Sequence, residues 1–173
     1  MLIIWGSASF FLFVTLPVVQ WSVAAFGALA AVLTFFDLGE VFLLLFINFT
    51  NFYAFYGVLF TYNLHPAIVM VGLSLVCGAS FFILGRKLIG EKNNPVLTLV
   101  FFVLFVLELY LTLTFWLINP LSRSFIATIF VYLFLGFLIS IKGEIFNQKN
   151  FRLYLLVAVA ILLILLFTTS WGR

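Results

Sequence analysis

Five stretches, residues 41–62, 66–85, 96–118, 124–141 and 151–169, run almost without charge for about the length of a bilayer-spanning helix, roughly 20 residues. Such stretches leave a chain few choices. In hydrocarbon every backbone N–H and C=O must find its partner inside the protein, and an α-helix does this within its own segment. The stretches are separated by Pro, Asn, Gly and charged residues; Pro66 suits a first helical turn, and Pro95 and Pro120 flank the run 96–118.

Residues 2–36 are too long for one comfortable crossing. At ~1.5 Å per residue they would measure about 50 Å as a single helix, against a hydrocarbon core of roughly 30 Å, and Pro17 interrupts them. Two segments, 2–16 and 18–36, fit better. The expected fold is therefore all-α: a polytopic transmembrane helix bundle of seven helices, or six if 2–16 lies at the interface, forming a single transmembrane domain over residues 1–173. The first residues lack the basic n-region and small-residue cleavage pattern of a signal peptide and are expected to be retained.

Composition points the same way. The chain is 66% hydrophobic and 8% charged with mean hydropathy +1.36, a balance that a water-soluble domain of this size could not keep off its surface. Its formal charge of +3 rests on eight Lys and Arg in short clusters rather than a basic stripe, which argues against nucleic acid as a partner. The expected partners are the lipid bilayer and either a second copy of the chain or another membrane protein. Cys77 is the only cysteine and lies in an apolar stretch, so it reads as a small buried hydrophobe. His65 precedes Pro66 at a helix boundary and reads as a loop histidine; no multi-ligand metal spacing is present, and neither a metal nor a cofactor is implied.

Orientation follows from the cations. Arg86, Lys87 and Lys92 fall in one loop and Lys142, Lys149 and Arg152 in another, whereas the opposite side carries only Arg123 and Arg173. Lys and Arg mark cytoplasmic loops. Loops 86–94 and 142–152 are thus expected in the cytoplasm and the C-terminus outside, in a multi-pass protein of the cell membrane. Trp5, Trp21, Trp116 and Trp171 lie toward ends of proposed spans, where indole rings favour the interface.

Within the membrane one position stands out. The stretch 103–113, VLFVLELYLTL, carries Glu108 in an otherwise apolar run. A central charge costs roughly 3 kcal/mol on the insertion scale, while the Val, Leu, Ile and Phe of 96–118 at ~0.4 each supply about 7, so the helix inserts despite it. Glu108 lies about 18 Å along a helix of about 34 Å, too deep for a short carboxylate to reach either interface easily. It is expected to face the bundle interior. Helical spacing groups it with Phe101, Leu104, Phe105, Leu111, Thr112 and Phe115, of which only Thr112 is polar. A further partner must come from another helix, and Asn48 and Asn51, near the midplane of their own span, are the best donors by depth. Tyr53, Tyr56, Thr61 and Tyr62 continue that helix toward the outer side. Glu108, Thr112, Asn48 and Asn51 form the candidate intramembrane polar site. As plain interhelical glue it would contribute ~0.6 to 2 kcal/mol; the sharper reading is a proton- or cation-handling carboxylate.

Other motifs carry less. HExxH, G-x-S-x-G, a phosphate-cradling glycine loop and a DxD cluster are all missing from the sequence, and the chain is not expected to be an enzyme. Asp37 and Glu40 read as a helix cap rather than a cation site. The small-residue stretches AAFGALAA (24–31) and SLVCGAS (74–80) read as places of close helix packing.

In the C-terminal half, ELYLTLTFWLINP, GEIFNQKNFRLYLLV and the ending LLFTTSWG resemble an uncharacterised family of small multi-pass bacterial membrane proteins. Glu108, Phe115, Trp116, Gly143, Arg152, Tyr154, Thr168, Thr169, Trp171 and Gly172 stand at matching positions; Leu117, Leu153 and Ser170 depart from the pattern. The resemblance implies a bacterial membrane protein whose last helix is bounded by Arg152, Tyr154 and Trp171, and it carries no activity. Two functions of different class follow from the residues: a structural or accessory membrane component, which is favoured, and a small transporter or channel component centred on a buried Glu108.

Overall fold

The computed structural model describes residues 39–85, 94–116, 118–141 and 148–168. These fold into five helices: α1 (Glu40–Tyr62), α2 (Pro66–Ser80), α3 (Pro95–Thr114), α4 (Pro120–Ile141) and α5 (Gln148–Thr168). A π-helical turn, Phe81–Gly85, extends α2. There is no strand among the described residues. All five helices, α2 counted with its π extension, are long and apolar enough to cross a membrane, and the chain is a membrane-embedded protein. The expectation of seven helices, or six, is not supported; the segments 2–16 and 18–36 that made up the difference lie outside the described residues, as do Asp37 and the small-residue stretch 24–31.

Three helix starts show how local chemistry sets the boundaries. Pro66 and Pro95 occupy first turns, where the missing N–H costs nothing. His65, expected as a loop residue, caps α2 by accepting from the Ala67 N–H through Nδ1 at 3.3 Å. Asn94 caps α3, its Oδ1 accepting from Val96 and Leu97. At α4, Asn119 Oδ1 accepts from the Ser122 N–H at 2.7 Å, so the helix begins at Pro120 rather than at residue 124. That early start carries Arg123 into the helix. At the other end of α1, Asn63 closes the helix in the left-handed region, φ 49°, a conformation that Asn tolerates better than most residues.

The core is built by α1 to α4 around Leu44, Phe52, Tyr56, Leu73, Phe102 and Val131. The most deeply buried helix is α1, with buried residues on every side. It packs against α4 and α2, and α3 fits against α2 through the Phe81–Phe102 stack, centroids 4.2 Å apart. Small residues allow these approaches: a Cβ on Gly72 would lie 2.9 Å from the Phe55 ring, and one on Gly78 would lie 3.3 Å from Val103. Gly78 belongs to the stretch 74–80 that the sequence marked for close packing. Helix α5 lies outermost on α4, with Ala158 as its one fully buried described residue.

Candidate functional site

The four polar residues singled out in the sequence separate into two places. On α3 the buried residues Phe102, Val106, Tyr110 and Leu113 define the inward face. Glu108 stands two residues from both Val106 and Tyr110, about 200° around the helix, and is exposed together with Phe101, Leu104, Thr112 and Phe115. The grouping of these side chains on one face holds; the expected inward direction of that face does not. Thr112 Oγ1 donates to the Glu108 main-chain carbonyl at 2.8 Å, not to its carboxylate.

Asn48 and Asn51 are fully buried in α1. Each turns its amide back on its own helix: Asn48 Nδ2 donates to the Leu44 carbonyl at 2.7 Å and Asn51 Nδ2 to the Ile47 carbonyl at 2.6 Å. Both Oδ1 atoms are buried without a protein donor. The structure therefore does not join Glu108 to the asparagines. A polar link between α1 and α3 is made instead by a pair of tyrosines, Tyr56 five residues after Asn51 and Tyr110 two after Glu108.

Tyr56 and Tyr110 stack with centroids 4.5 Å apart and planes 18° from parallel. The Tyr56 hydroxyl donates to the Tyr110 carbonyl at 3.2 Å, and the Tyr110 hydroxyl donates to the Phe55 carbonyl at 3.4 Å. Buried tyrosines need such partners, and here each helix supplies a carbonyl for the other's hydroxyl. Beside them lies Arg123, which is only 6% exposed. Its guanidinium carbon stands 4.6 Å from the Phe60 ring centroid and 5.7 Å from that of Tyr56, and Nη2 donates to the Trp116 carbonyl. Nε and Nη1 are buried with no acceptor.

Sequence reading placed Arg123 in an outer turn and gave Tyr110 no role. The signal that could have found this cluster is the run NPLSRS: an Asn cap and a first-turn proline put the following arginine in the first turn of a helix rather than in a loop. Among the described residues no three His, Cys, Asp or Glu side chains converge. A groove of about 340 Å³ between α4 and α5 is lined by Tyr132, Asn150, Leu153, Tyr154 and Val157.

No protein-family model, no curated protein and no solved structure matches the chain. The C-terminal likeness to a bacterial family thus rests on its motifs alone, and the functional reading has to come from the site.

Proposed function

We propose that the chain is an accessory component of a membrane assembly, attached through the outward face of α3 to another transmembrane helix. One observation carries this reading: Glu108 is exposed about two-thirds of the way along α3, in a stripe whose other exposed members are Phe101, Leu104, Thr112 and Phe115, and its carboxylate has no hydrogen bond or ion pair among the described residues. A carboxyl facing acyl chains costs up to roughly 3 kcal/mol, the figure for the centre of a span, and lipid tails offer it no donor. A neighbouring helix bearing an amide, hydroxyl or cationic side chain removes that cost on association. The apolar flanks supply the packing surface, and Glu108 sets which partner fits.

The same reading places loops 86–94 and 142–152 in the cytoplasm and the C-terminus outside, in the cell membrane. Six of eight cations support it, and the burial of Arg123 leaves the opposite side poorer still in exposed positive charge.

Two substitutions separate attachment from transport. Glu108→Gln keeps hydrogen bonding and removes titration, whereas Glu108→Leu removes both. Attachment predicts that Glu108→Leu frees the chain from its assembly on native gels, that Glu108→Gln stays bound, and that neither lowers the stability of the isolated chain in detergent. An assembly unchanged by Glu108→Leu, together with a pH-driven flux in sealed vesicles that vanishes in Glu108→Gln, would replace this reading with the transporter one.

A further inference from the structure

Arg123 is a buried cation whose charge no described carboxylate answers. Burying a charge is costly unless it is paired and its hydrogen-bonding groups are satisfied. Glu40 opens α1 at the far end from Tyr56 and Phe60, which hold the arginine, and Glu108 lies on the outward side of α3. Among the described residues its acceptor is the neutral Trp116 carbonyl. Position adds to the imbalance: Arg123 sits in the first turn of α4, where the aligned peptide dipoles are already positive and favour an anion over a cation. Nε and Nη1 stay without acceptors although the side chain is more than nine-tenths buried.

We propose that Arg123 is the anchor of an oxyanion-binding site of the phosphate class, at the end of the bundle where the α1–α2 and α3–α4 turns lie. The guanidinium offers the planar, strongly charged donors that phosphate groups take. Phe60 is the cover. Its ring lies over the guanidinium yet is itself 50% exposed, so a rotation about its side-chain bonds opens the arginine without moving a helix. Tyr56 and Tyr110 hold the floor in place through their reciprocal bonds to α1 and α3. At this depth the phosphate arrives either on a lipid headgroup or as a free ion.

The test uses the full chain in phosphate-free dodecyl maltoside micelles. Inorganic phosphate is titrated in one arm; in the other, phosphatidylglycerol is added, with a phosphate-free galactolipid as control, and melting temperature and bound phosphorus are measured. Saturable stabilisation by phosphatidylglycerol alone identifies a headgroup, and by inorganic phosphate a free ion; either supports the site. Arg123→Gln should weaken binding roughly tenfold or more, as expected for the loss of charge-assisted hydrogen bonds. Phe60→Ala should strengthen it by removing the cover. Should Arg123→Gln not fold, Arg123→Lys, which keeps the charge but loses the fork, should bind more weakly than the parent. The proposal is overturned if neither the parent nor Phe60→Ala takes up phosphorus saturably, or if the Arg123 variant binds as well as the parent.

Discussion

Tyr56 and Tyr110 show how single residues decide what the membrane cannot. Lipid gives no hydrophobic reason for α1 and α3 to prefer each other over acyl chains, so shape and hydrogen bonds must do it. Two phenols that would be orphaned in hydrocarbon each find a carbonyl on the opposite helix. Tyr56→Phe removes one of these bonds without stranding its acceptor, because the Tyr110 carbonyl also receives the Thr114 hydroxyl at 2.7 Å. The cost should therefore sit near that of an ordinary hydrogen bond, about 1 kcal/mol. Tyr110→Phe, which loses the longer bond, should cost less. Reversible unfolding in mixed micelles measures both, and equal or inverted losses would show that the stacking, not the hydrogen bonds, joins the helices.

At the scale of the element, the contrast between α1 and α5 matters most. The buried side chains of α1 go all the way round, whereas α5 leaves most of its surface outward and packs chiefly along α4, through contacts that include the Tyr132–Tyr154 pair at 5.1 Å, Phe137 against Phe151, and Tyr154 over Gly136. A Cβ on Gly136 would stand 2.5 Å from the Tyr154 ring, well inside van der Waals contact. Gly136→Ala should push α5 away and cost about 1 to 3 kcal/mol, the usual range for overpacking, partly offset by alanine's higher helix propensity. Pairing it with Tyr154→Ala should recover part of the loss. A Gly136→Ala protein as stable as the parent, with α5 still protease-resistant, would mean that the ring moves aside freely.

For the whole molecule, topology is the property on which the functional readings depend, since it says which side Arg123 and the Glu108 face serve. Cysteines introduced at Asn93 and Gln148 are expected to resist an impermeant thiol reagent in intact cells and to react once the membrane is permeabilised. The native Cys77, 1% exposed within the bundle, should give little background. Reaction of both introduced residues in intact cells would reverse the orientation and move the proposed oxyanion site to the cytoplasmic face.

The class of the protein, the five described spans and most of their limits were legible residue by residue. Apolar runs of bilayer length have one backbone solution in lipid, and Pro66, Pro95 and Asn94 mark helix starts through chemistry that acts within a turn. What the sequence could not reveal was the direction in which each helix faces. A soluble helix announces its inner face by polarity, but a helix apolar all round gives the same signal toward core and lipid. The neighbours of Glu108 on α3 could therefore be named from spacing, while its outward direction was decided by Phe102, Val106 and Tyr110 finding α1 and α2. Arg123 shows the same limit from the other side: four residues of helix added at Pro120 turned an expected outer-turn cation into a buried one, because only the packed ends of α1, α3 and α4 together enclose it.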